Sequence, residues 1–170
     1  MNTNGNTTTE ELETLAKAVG LIVIQWGQAE QSLDLLVAVL WQSFDGSRFA
    51  KRIPIMLELK LKFVRASITS EPALASHTAA TEQLMKAFER LGALRHDLIH
   101  GAVASISPID NAFIFAKLDV REGFHHHREV RIEAKEYDPL IGELVLLGRR
   151  ALQLATAIFD QAKRDRPHVK

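Results

Sequence analysis

The sequence predicts a mainly α protein: an antiparallel bundle of about four long helices with a small β hairpin or meander inserted before the last helix. Three observations carry this expectation. Apolar residues recur at three- and four-residue steps through most of the chain, which is the helical period. One later stretch breaks that period with short, partly alternating, β-prone runs. Turn-forming residues fall between these segments, where connections are needed.

The elements follow in order. Residues 1–9 are polar and read as a flexible N-terminal arm. Thr9 or a neighbouring threonine caps a first helix, with Glu10, Glu11 and Glu13 suited to its positive end. That helix extends to about Phe44, where Asp45-Gly46-Ser47 stops it. Its apolar stripe is Val23, Trp26, Leu33, Val37 and Leu40, with Glu30 inside it. A second helix is expected over residues 54–68, with Pro54 in its first turn and Leu57, Leu61 and Val64 as its stripe. Glu71-Pro72 opens a third, ending near Ile99, with Gly101 as a left-handed stop. Leu84, Phe88, Leu91, Arg95 and Leu98 form its stripe, so Arg95 points toward packed surface. Strand-like runs follow at residues 102–106, 112–118 and 129–133 within a β insertion spanning 102–133. Asp138-Pro139 opens the last helix, which runs to about Arg164 on Leu140, Leu144, Leu147, Ala151, Leu154 and Ile158. Residues 166–170 read as a mobile tail.

The 170 residues suit one domain, 1–170, with a real core, and 46% apolar content argues against disorder. Twenty-one basic residues balance 21 acidic ones, so any RNA contact must come from a local patch. There is no cysteine, which excludes disulfides, thiolate nucleophiles and cysteine-ligated metals. Phosphate-binding glycine loops and the G-x-S-x-G elbow are absent, so kinase, dehydrogenase and serine hydrolase chemistries lose their usual footing. The N-terminus lacks a signal pattern, and the most apolar window, residues 19–41, carries Gln25, Gln28, Glu30, Gln31 and Asp34. A cytoplasmic protein without membrane contact is the expectation.

The chemistry-bearing stretch is Arg95-His96-Asp97-Leu98-Ile99-His100-Gly101. An arginine is a permanent cation whose planar fork suits phosphate oxygens. A histidine moves a proton near neutral pH. Other Arg–His pairs share the loose spacing, among them Arg90 with His96 and Arg121 with His126 or His127. Arg95 and His100 differ in lying at a helix end, with a polar residue after the arginine and a glycine after the histidine. In a continuous helix five residues turn the chain ~500°, which leaves the two side chains ~140° apart. Either the helix unwinds at Ile99-His100, or two subunits assemble the site across a two-fold axis.

This stretch resembles the R-x4-6-H signature of HEPN domains, a family of helical proteins that includes many ribonucleases. His96 stands where the family's fuller pattern usually has asparagine. More weakly, the Trp26, Glu30 and Leu33 spacing is similar to an extended HEPN-type family. The resemblance implies a homodimer with two facing motifs in one cleft, acting as a metal-independent endoribonuclease in a toxin or defence system. Arg95 would stabilise the phosphate and His100 would transfer a proton, leaving a 2′,3′-cyclic phosphate. His96, Asp97 and Glu30 would support them. No cofactor or metal is implied; RNA and a cognate antitoxin or other protein are the implied partners. The alternative is a non-catalytic HEPN-like module that binds a protein, RNA or nucleotide. The remaining possibility is a structural dimer in which Arg95 and His100 only close the helix.

Other residues are read on their own terms. Glu30 inside an apolar stripe needs a partner, either Arg95 or water at the stripe's edge. His96 and His100 share a helix face, a spacing that also suits metal, and Asp97 is a partner for a histidine. Arg48, Lys51, Arg52, Lys60, Lys62 and Arg65 make the strongest local basic patch, either an RNA track or a solvated face. His125-His126-His127 is expected in a solvated turn. Trp26 and Trp41 are expected to pack in a core or dimer face.

Overall fold

A computed structural model describes residues 9–107, 109–110, 112–121 and 123–165. The protein is mainly helical. Helices α1 (Thr9–Ser43), α2 (Leu57–Ser70) and α3 (Thr78–His100) precede the strands β1 (Ala102–Ile106), β2 (Ala112–Arg121) and β3 (Phe124–Glu133), and α4 (Tyr137–Asp165) closes the order. The sheet therefore lies before the last helix, as the sequence indicates. The expected arm over residues 1–8 and the tail over 166–170 lie outside the described residues; Thr9 already belongs to α1.

The chain forms two compact units. One comprises Met1–Gln25 with Arg90–Leu144, the other Trp26–Glu89 with Val145–Lys170. In the first, β1, β2 and β3 form an antiparallel sheet in that order. Phe113 pairs with Ile132 and Phe115 with Val130, so alternation places these side chains on one face. Phe113, Phe115 and Ile132 are buried, as are Leu15, Ile22, Leu91, Leu98, Leu140 and Leu144 of the same unit. In the second unit the core holds Trp26, Leu33, Leu36, Leu40, Val64, Met85, Phe88 and Ile158. Trp26 meets Phe88 edge-on, with ring centroids 6.0 Å apart. Each such side chain contributes about 1.5–3 kcal/mol by leaving water.

Several boundaries differ from expectation for local reasons. α1 ends at Ser43, close to the expected stop at Asp45-Gly46-Ser47, and Asp45 takes the left-handed conformation past it, with φ 50°. Pro54 lies in an extended approach to α2, because Met56 is still extended at ψ 141°. Pro72 opens a 3₁₀ turn, Pro72–His77, before α3 begins at Thr78. Before α4, Glu133 and Glu136 form a capping box around the 3₁₀ turn Ala134–Glu136. Val23 is exposed and Ile22 takes the inward place on α1.

The largest correction concerns the β2–β3 hairpin. Both strands are longer than expected, and His125, His126 and His127 belong to β3, not to a turn. They pair with Val120, Asp119 and Leu118. The turn sits at Gly123, whose φ of +81° only glycine adopts without strain.

Candidate functional site

α3 remains helical through His100, and the Gly101 amide still donates to the Asp97 carbonyl at 2.8 Å. Unwinding at Ile99-His100, one of the two alternatives the sequence left open, does not occur. Gly101 is not a left-handed stop either, since its φ is not positive. Glycine is required there by close approach: a Cβ would meet the Asp97 carbonyl oxygen at 2.6 Å and Phe115 Cβ at 3.1 Å.

His96 and His100 both project from α3 to solvent. One helical turn apart, their rings touch, with centroids 4.6 Å apart and planes tilted by 53°. Arg95 is half-buried on the neighbouring face. Its Nε–H is buried without an acceptor, and the guanidinium forms no ion pair among the described residues. The motif thus presents two imidazoles in contact and an arginine that no carboxylate among the described residues neutralises.

Asp97 does not serve as a histidine's partner. Its carboxylate accepts from Arg128 at 2.7 and 2.8 Å and from Lys117 at 2.8 Å. Arg128 also donates to Asp119 at 2.9 Å. The register explains the cluster: Lys117 pairs with Arg128 across β2 and β3, and Asp119 lies two residues along on the same face. The hairpin therefore grips the last turn of α3 through a fork-shaped, charge-assisted contact. The Asp97 side chain is only 13% exposed. The hydrogen bonds from Arg128 and then Lys117 hold its carboxyl down to about 2. His96 titrates below the ordinary imidazole value, through partial burial first and then the nearby Lys117 charge, with His100 adding to the effect.

Glu30 does not pair with Arg95. It accepts from Trp26 Nε1 at 3.2 Å and from Lys60 Nζ at 3.3 Å. Lys60, almost wholly buried, is held also by Asp34 at 2.7 Å. Glu30 is thus one of two carboxylates that make a buried lysine tolerable, within the second unit.

The basic patch divides in two. Arg48 pairs with Asp45 and Glu71, Lys60 with Glu30 and Asp34, and Arg65 with Glu82 and Glu89. Lys51, Arg52 and Lys62 form no ion pair among the described residues. Among the described residues no cluster of three or more histidine or carboxylate side chains is placed to hold a metal, and no helix is long and apolar enough to cross a membrane.

Lys117, Asp119 and Arg128 escaped the sequence reading. Reading His125–His127 as a turn started β3 at Glu129, too late to place Arg128 opposite Lys117. The available signal was the Lys-x-Asp alternation at 117 and 119, which puts both on one strand face. Comparison with protein-family models, with curated proteins and with solved structures gave no match.

Proposed function

We propose that this chain is a HEPN-like helical-bundle homodimer and a metal-independent endoribonuclease, acting in the cytoplasm in a toxin or defence setting. The observation that supports the reading is the end of α3, where two exposed imidazoles touch beside an arginine free of ion pairs among the described residues. His96, shifted toward its neutral form, is the acceptor for the ribose 2′-hydroxyl proton. The 2′-oxygen attacks phosphorus while the bond to the 5′-oxygen breaks. Protonated His100 gives its proton to that leaving oxygen. Arg95 stabilises the extra negative charge on the five-coordinate phosphate. The products are a 2′,3′-cyclic phosphate and a 5′-hydroxyl. Asp97 stays ionised throughout and holds the turn in place. A two-fold arrangement brings an Arg95 of one copy to the His100 of the other, since the continuous helix keeps the two apart within one copy.

The experiment is cleavage of an RNA oligonucleotide carrying one 2′-deoxy residue at the mapped scissile position. The reading predicts that cleavage at that bond stops while other bonds continue. Cleavage at the deoxy position would eliminate the 2′-hydroxyl mechanism. A second reading, a non-catalytic module that binds a protein, RNA or nucleotide partner, draws support from the net charge of zero and from the neutralised Arg48 and Arg65. It predicts binding without cleavage under all conditions.

A further inference from the structure

The approach to α2 and its first turns frame a groove of about 580 Å³, a volume ordinary for a binding site. Its lining divides into an apolar floor and a cationic rim. Ile53, Ile55, Met56 and Leu59 supply the accessible apolar surface; Ile55 is 79% exposed and Met56 67%. Scattered single apolar residues on a surface are ordinary, but four in one concavity are not. Lys51, Arg52 and Lys62 also line it, and no lining residue is acidic. These are the three cations of the basic patch without an ion pair among the described residues. The other three cations of that patch each hold two carboxylates. Among the described residues, the cations of this segment that form no ion pair are therefore the ones around the groove.

We propose that this groove is a docking site for an acidic amphipathic helix of a partner protein, with aliphatic anchors seated among Ile53, Ile55, Met56 and Leu59 and carboxylates facing Lys51, Arg52 and Lys62. The cationic rim calls for an anionic partner. Its side chains decide which anionic partner it takes. Single-stranded nucleic acid gains its affinity by stacking bases on exposed aromatic rings. Here Phe63 is buried, and the Phe49 ring is already covered by the Arg48 guanidinium at 5.2 Å. The open lining is aliphatic, which suits the leucine, isoleucine or methionine anchors that a helix presents at i, i+3 or i+4 and i+7. The site lies wholly within the second unit and stands independently of the chemistry proposed at the end of α3.

The test uses fluorescence anisotropy with the full chain and four labelled probes. One is a helical peptide with leucines at i, i+3 and i+7 and glutamates on its other faces. The second replaces the glutamates with lysine, the third replaces the leucines with serine, and the fourth is oligouridylate. The glutamate–leucine peptide is expected to bind at least roughly tenfold more tightly than the other three, and to weaken severalfold as salt rises from about 50 to 300 mM. Ile55→Asp, at a highly exposed position and with its folding checked by circular dichroism, should weaken it roughly tenfold. Lys51→Glu with Lys62→Glu should reverse the preference toward the lysine peptide. Preference for oligouridylate, equal binding of the two charged peptides, no binding of the glutamate–leucine peptide, or indifference to Ile55→Asp would each overturn the proposal.

Discussion

Asp97 shows how one residue links the helix to the hairpin. Its carboxyl is held at about 2 against 3.8 for an ordinary aspartate. A depressed carboxyl stabilises the fold at pH values above its unfolded value, and that stability is lost as pH falls through the folded value. Urea unfolding followed from about pH 5 to pH 2 should therefore lose about 2 kcal/mol through this group. Asp97→Asn should remove that part of the slope and lower stability at neutral pH; an unchanged slope would mean the Arg128 fork contributes nothing. Lys117 makes a second residue-scale prediction. Its charge helps to hold His96 neutral, after partial burial. Lys117→Gln should raise the His96 titration midpoint in an NMR pH series, and a midpoint that stays put would assign the shift to burial and the His100 neighbour instead. Arg95 and His100 could be singled out from the sequence by their residue types and their place at a helix end; the structure leaves His100 exposed and Arg95 half-buried. Glu30 was legible only as a residue needing a partner. Which cation met it depended on Lys60, thirty positions away, and no local pattern reports that pairing.

At the scale of elements, periodicity told most where one face of a segment is buried. The α4 stripe of Leu140, Leu144, Leu147, Ala151, Leu154 and Ile158 is buried throughout, and its helix lies close to the expected bounds. The hairpin was harder because neither face at its far end is buried. Leu118, Val120 and Phe124 are exposed, so alternation there carries no inside–outside contrast and three consecutive histidines look like a loop. The prolines misled for a related reason: Pro54 and Pro72 both fix φ, a constraint that an extended segment and a 3₁₀ turn satisfy as well as an α-helix. The junction of α3 with β1 is tightly built. Gly101→Ala places a Cβ 2.6 Å from a backbone oxygen of its own helix, which has no flexible end to move aside. It should cost at least about 1–3 kcal/mol in denaturant unfolding. Full stability in that variant would show that the turn relaxes freely.

For the molecule as a whole, the proposed site needs two copies, because a helix that continues through His100 separates Arg95 from His100 within one chain. Mixing Arg95→Ala with His100→Ala, each strongly slowed alone, should restore part of the activity in mixed dimers, since one of the two composite sites is then intact. Failure to complement, with subunit exchange shown by labelling, would place the whole reaction in one copy. The central claim is that the end of α3 cleaves RNA with side chains alone. It is tested most directly by incubating end-labelled single-stranded RNA in EDTA with the wild type, Arg95→Ala and His100→Ala side by side. The account predicts cleavage by the wild type, ending in 2′,3′-cyclic phosphate, and at least roughly a hundredfold slower cleavage by each variant. Equal cleavage by all three, or none by a folded and dimeric wild type across several RNA sequences, would contradict it.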